Sequence, residues 1–301
     1  MAYNFREITI DDKNIFCNYL RDSDTKVSEM TFTNFFMWRN AYGFKFSQIS
    51  VMLSVISVPS EGQPFAFAPI GKLNDDDFCS FVEQIRNYFK QNNWKLLFKR
   101  VPVGILEYFT RLFPNEVEVI TNRDDSDYIY SANDLIGLKG KRFDGKRNHI
   151  NKFKKLYEYS YEKIDLTHID DCKKIMDEWC NQRRCDFHGH DYCENKANNE
   201  LLDNYSLLNC QGAMIKVNGK YEAFTIGEML NENTAVIHIE KANNKIDGLY
   251  TFINQQFCEN EWGDVEFINR EQDLGIEGIR KAKLSYHPVN IVDKYSIMFK
   301  A

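Results

Sequence analysis

Three strand-like runs lie nearly end to end in the second half of the chain: "GAMIKV" (212–217), "KYEAFTIGEML" (220–230) and "TAVIHIEKA" (234–242). Only the turn-forming "NGK" and "NEN" separate them. β-Branched and aromatic residues at hairpin spacing dictate an antiparallel meander. A meander needs apolar cover, and helical patterns flank it. "HIDDCKKIMDEWCNQRR" (168–184) and a helix over roughly 198–208 come before it, and "LYTFINQQFCENEW" (249–262) follows. A strand, "YSYEKI", opens the group. "DVEFIN", a charged stretch, and a last strand in "NIVDKYSIMF" close it.

The first half has the same rhythm. "NIFCNYLRD" and "FTNFFMWRNAYGF" read as helices, and residues 50–58 and "QPFAFAPIG" as strands. "DDDFCSFVEQIRNYFKQN" is a helix whose leading acids suit the positive end of its dipole. "WKLLFKRV", "VGILEYFTRLF" and "EVEVI" then read as strand, helix and strand. The expected fold class is α/β (α+β), with two similar domains each built on a mixed, mostly antiparallel sheet. Residues 1–135 form one and 136–301 the other, the second carrying the site. The connection is placed in "YIYSANDLIGLKG" (128–140). No primary repeat is visible, so the duplication rests on element order.

A chain of 301 residues with net charge −6 argues against non-specific coating of nucleic acid. The longest apolar run, residues 50–58, is far short of the roughly 20 residues of a membrane helix. With no leader pattern and eight cysteines, the expectation is a cytoplasmic protein with reduced thiols. Cys180, Cys185, His188, His190 and Cys193 cluster, but their spacing fits no paired zinc pattern, so no metal is expected. Nothing in the sequence indicates an oligomeric state.

Four blocks carry a family resemblance: "GKRNHINKFKK", "AFTIGE", "EKANNKIDGLYTFINQQF" and above all "NREQDLGIEGIRKAKLSYHP". They resemble bacterial proteins related to the C-terminal domain of lysylphosphatidylglycerol synthases. "FTNFFMWRNAYGF" and "FAFAPIG" extend the likeness over most of the chain. The resemblance implies two tandem N-acetyltransferase-like (GNAT-like) domains. It also implies kinship with Fem-type transferases, which move aminoacyl groups from aminoacyl-tRNA to an amine or hydroxyl acceptor. No cofactor is then required beyond the aminoacyl-tRNA donor. The alternatives are a coenzyme A-dependent N-acyltransferase and a non-catalytic module binding an anionic ligand or peptide. No flippase half is expected in these 301 residues, and His238-Ile239-Glu240-Lys241 stands where the synthases usually carry Asp-x-x-Arg. At the strand–helix junction it has "KANNKIDG" in place of the glycine pattern that holds coenzyme A pyrophosphate.

The candidate catalytic residues are Glu228 and Glu240. Glu228 shares an alternating strand face with Phe224, Ile226 and Leu230, and a carboxylate there is expected to hold its proton more tightly, as a general base requires. Glu240 shares a face with Val236 and His238, at the carboxyl end of its strand. His238 reads as a hydrogen-bonded core histidine. In the charged stretch, Asp273 is expected to cap a helix starting near Gly275, whose free N–H groups would hold an anion. Asn269, Arg270, Glu271, Arg280, Lys283 and Tyr286 complete this candidate binding set, with Arg270 and Lys283 orienting a carboxylate or phosphate. Lys241 joins them at the strand–helix junction. Residues 139–155 hold eight cations against Asp144 alone. With Arg147 and Asn148 at its centre, that face is expected to meet a tRNA acceptor end or anionic lipid headgroups.

Overall fold

A computed structural model describes residues 4–21, 23, 25–183 and 194–300. Cys185, His188, His190 and Cys193 of the cysteine–histidine cluster lie outside the described residues. The strands in chain order are β1 (Arg6–Glu7), β2 (Phe44–Ile49), β3 (Met52–Ser57), β4 (Phe65–Phe67), β5 (Leu97–Val101), β6 (Val117–Thr121), β7 (Asp127–Ser131) and β8 (Tyr159–Lys163). They continue as β9 (Gln211–Val217), β10 (Lys220–Asn231), β11 (Thr234–Ala242), β12 (Phe267–Asn269), β13 (Asn290–Val292) and β14 (Tyr295–Phe299). The helices are α1 (Lys13–Leu20), α2 (Phe32–Tyr42), α3 (Asp75–Gln91), α4 (Val103–Leu112), α5 (Ala132–Gly137), α6 (Asp144–Leu156), α7 (Ile169–Arg183), α8 (Glu194–Asp203), α9 (Leu249–Glu261) and α10 (Glu277–Leu284).

Two seven-stranded sheets result, ordered β1-β2-β3-β4-β5-β14-β6 and β8-β9-β10-β11-β12-β7-β13. They match position by position. In each, the fourth and fifth strands run parallel and the rest of the reported pairs are antiparallel. A long helix follows the fourth strand, α3 in one case and α9 in the other. This is the tandem GNAT-like architecture, and the duplication is real at the level of topology.

The chain divides into two compact units, Met1–Asp127 with Gln272–Gly275 and Val292–Ala301, and Tyr128–Glu271 with Ile276–Ile291. In place of the single cut expected at 135/136, the two units exchange strands. β7, which the sequence reading placed in a connection, is the sixth strand of the second sheet. "NIVDKYSIMF" is two strands, β13 in the second sheet and β14 in the first. Hydrophobic periodicity reports that a segment is extended, not which sheet receives it.

Local chemistry explains the elements. Asn74 caps α3, its side chain accepting from the Asp77 amide at 2.9 Å. Phe78, Phe81, Val82, Ile85 and Phe89 then recur at helical spacing and are fully buried. In the second unit, Phe252, Ile253, Phe257 and Cys258 of α9 are buried among apolar side chains of the meander. Ile150 and Phe153 of α6 join them, as their shared face predicts. The β10–β11 ladder slips between Ile226 and Gly227, which leaves His238 as an extra residue. Gly227 is required there, since a Cβ would stand 2.5 Å from the Val236 carbonyl oxygen.

Candidate functional site in the second unit

The parallel ladder of β11 and β12 ends at Val236↔Asn269. Past that point two side chains reach back across the fork to β11. Arg270 Nη2 donates to Glu240 Oε1 at 2.8 Å, and Glu271 Oε1 lies 3.0 Å from His238 Nδ1. The first residues of the charged stretch therefore pack into the fork between the parallel strands.

The turn that aims them is locally fixed. Asn269 is fully buried and its side chain accepts from the Glu271 amide at 2.7 Å. Glu271 has φ of 57°, a left-handed conformation that costs a non-glycine residue energy. Lys283 Nζ offsets that cost by donating to the backbone carbonyls of Arg270 and Glu271, the latter at 3.0 Å. Lys283 is thus engaged with the backbone of the turn.

Two polar groups occupy the fork. In the first, both oxygens of Glu240 are held, one by Arg270 and the other by Asn254 Nδ2 of α9 at 2.9 Å. The guanidinium of Arg270 also lies 4.8 Å from the ring centre of Tyr286 and 5.7 Å from that of Tyr130. Burial opposes its charge, yet Glu240 keeps its proton affinity above the ordinary value. In the second, His238 stands between two carboxylates, with Glu228 Oε1 2.9 Å from Nε2 and Glu271 on the other side. Its side chain is 1% exposed. Burial works against the imidazolium, but hydrogen bonds to Glu228 and Glu271 outweigh it and raise His238 to about 9. Glu228 is therefore not an isolated carboxylate on an apolar face, the setting in which a general base is expected there. Its partner at 2.9 Å is a cation.

Other expectations are redirected. Lys241 points away from Glu240, with Nζ 2.8 Å from Glu194 and 3.7 Å from the ring centre of Trp179. Asp273 belongs to the first unit, where it is fully buried and accepts from the Gly275 amide at 2.9 Å. The helix begins two residues later than expected, at Glu277, and its N-cap Ile276 makes no side-chain cap bond. The anticipated capped anion site is therefore not formed by Asp273. Arg280 is half-buried in α10, while Tyr286 is buried beside Arg270.

On the basic stretch, Arg147 folds back to the carbonyls of Leu138 and Gly140, the latter at 2.9 Å, and pairs with Asp144. Lys152 and His149 bind Asp247, at 2.7 and 2.9 Å. Arg142 is paired with Asp134. Asn148 and Lys139, Lys141, Lys154 and Lys155 are exposed.

The strand–helix junction bears on the coenzyme. The Lys245 amide donates to Asn243 Oδ1, the Ile246 amide to the Asn243 carbonyl and the Leu249 amide to the Ile246 carbonyl. Gly248 has φ of 86°, and a Cβ on it would meet the His149 carbonyl at 2.4 Å. The junction is closed against α6 and carries the carboxylate of Asp247, a poor cradle for a diphosphate.

Two neighbours of the fork are not among the candidates: Lys146, whose Nζ lies 3.6 Å from the ring centre of Tyr286, and Asn254. Lys146 is one cation among eight in its stretch, and nothing in its spacing marks it. Asn254 did leave a signal: it is a polar residue on a helix face otherwise made of Phe252, Ile253 and Phe257. Among the described residues no His, Cys, Asp and Glu group has metal-site geometry, and no helix is long and apolar enough to cross a membrane.

Known proteins place this arrangement in a family. The family described as phosphatidylglycerol lysyltransferase, C-terminal, matches residues 20–298. A conserved protein of unknown function from Bacteroides thetaiotaomicron is 33% identical, covers 99% of this chain and 100% of its own, and superposes with a TM-score of 0.93. The structure of L-PGS from Bacillus licheniformis is 15% identical over 95% of this chain and 91% of its own, with a TM-score of 0.66. FemX is 8% identical over 97% and 96%, with a TM-score of 0.65, a likeness of fold alone. With the family match spanning nearly all of it, the chain belongs to the phosphatidylglycerol lysyltransferase C-terminal family.

Proposed function

We propose that the second unit transfers an aminoacyl group from aminoacyl-tRNA to an amine or hydroxyl acceptor, such as a lipid headgroup, a peptide or a small molecule. The observation that carries this reading is the fork itself. In a GNAT-like fold the opening between the parallel fourth and fifth strands is where donor and acceptor meet. Here it holds Glu240, braced by Arg270 and Asn254, instead of an open backbone cradle. Glu240 and Arg270 contact the substrate, the carboxylate receiving N–H donors of the aminoacyl group and the guanidinium facing the ester carbonyl as negative charge develops. Glu228, His238 and Glu271 are positioning residues that hold β11 against the turn. The exposed lysines at 139, 141, 154 and 155 meet the tRNA acceptor end or anionic headgroups. The closed junction at 243–249 weighs against the coenzyme A alternative.

The test is incubation of the protein with a mixed pool of charged tRNAs, scoring each aminoacyl ester consumed in the presence of anionic lipid vesicles. One ester should be consumed, and Glu240→Gln should slow its loss about 100-fold. Consumption of acyl-coenzyme A alone would favour the alternative, and consumption of neither would leave a binding module.

A further inference from the structure

Resting on the aminoacyl-transfer reading, the fork raises the question of which group takes up a proton. Glu240 has both oxygens engaged, by Arg270 and Asn254. Glu228 and Glu271 bracket His238, whose two ring nitrogens face carboxylates. Lys283 is tied to two backbone carbonyls. Lys146, on the first turn of α6, is placed differently. Its Nζ lies 2.7 Å from Ser285 Oγ and 3.6 Å from the ring centre of Tyr286. Arg270 lies against that same ring, so the two cations share one aromatic support. Ser285 is itself fixed, its hydroxyl donating to the Ala282 carbonyl at 2.6 Å.

We infer that Lys146 accepts the proton of the attacking amine or hydroxyl. As the acceptor's nitrogen or oxygen bonds to the carbonyl carbon, its proton moves to Lys146 Nζ. The ester C–O bond then breaks, and the same proton passes to the departing ribose oxygen, so Lys146 ends as it began. The electrostatics suit the role. Burial and the charge of Arg270 lower Lys146 to about 8, against the smaller opposing pull of Glu240. At pH 7 roughly a tenth of such amines are neutral, against fewer than one in a thousand for an ordinary lysine. Tyr286 and Ser285, which it touches, carry no charge at that pH.

Two measurements test this. Competitive labelling with acetic anhydride over a pH series, read by peptide mass spectrometry, should give Lys146 a midpoint near 8, well below that of a model lysine peptide. In the transfer assay, Lys146→Arg and Lys146→Met should each lower kcat about 100-fold. A merely structural cation would be rescued by arginine, which keeps the charge and the stack but stays protonated and so cannot accept a proton. An ordinary labelling midpoint, or full activity in Lys146→Arg, would overturn the inference. Absence of transfer by the unsubstituted protein would overturn the aminoacyl reading, while the labelling result would still stand by itself.

Discussion

His238 shows how much one residue's surroundings decide. Alone on an apolar strand face it would be neutral; between Glu228 and Glu271 it is held as a cation. Its folded value of about 9 lies above the ordinary 6.5, so the stability it supplies is fully present below pH 6.5 and is lost as pH rises through about 9. The shift corresponds to about 3 kcal/mol at most. Thermal unfolding followed from pH 6 to 10 should therefore show a falling midpoint over that window. His238→Gln, which forms hydrogen bonds without charge, should flatten the curve and lower stability at pH 6. A wild-type profile flat through pH 9 would mean that the imidazole is neutral between its carboxylates. The sequence reading located this histidine in the core correctly. It could not see Glu271, because that partner arrives from 33 residues away through a left-handed turn.

At the scale of elements, strands and helices were legible because each carries its own period and its own caps. The meander, the aromatic helix α2 and the acid-led α3 all stand where alternation, spacing and turn residues put them. What was not legible is how elements pair when the partner is distant. Glu240 and Arg270 were both singled out, yet their contact depends on β12 lying parallel to β11 across an intervening helix. Their value to the fold can be measured. Both side chains are 13% exposed, so removing one leaves the other as a nearly buried charge. Arg270→Ala should cost about 3–5 kcal/mol, and Arg270→Ala with Glu240→Ala less than the sum of the two single changes. Additive losses in denaturant unfolding would show that the pair is not coupled. The seam of α9 and α6 gives a second case. Gly248→Ala must strain a φ of 86° and push a Cβ against the His149 carbonyl, so it should destabilise by more than the roughly 1 kcal/mol of an ordinary left-handed alanine.

The whole molecule is shaped by the exchange of sixth strands, which no local signal announces. β14 lies between β5 and β6, pairing with both, and buries Ile297 and Phe299 in the first unit's core. The residue before it, Lys294, is 1% exposed on its side chain and bridges Glu29 at 2.6 Å and Asp127 at 2.7 Å. Arg100 pairs with Glu29 from the other side. Burial alone would hold the Glu29 proton tightly; Lys294 and Arg100 reverse this and lower it to about 2. The last eight residues thus supply the first unit with a strand paired on both sides, two core side chains and a counter-ion of two buried carboxylates. Ending the chain at Asp293 should expose all of these at once. Hydrogen exchange ought to show β2–β6 losing protection together, since removing β14 leaves two unpaired strand edges. Lys294→Met keeps the strand and removes only the charge, and should cost about 3–5 kcal/mol while leaving the exchange pattern native. If the shortened chain kept β5 and β6 protected, β14 would be dispensable to the first sheet.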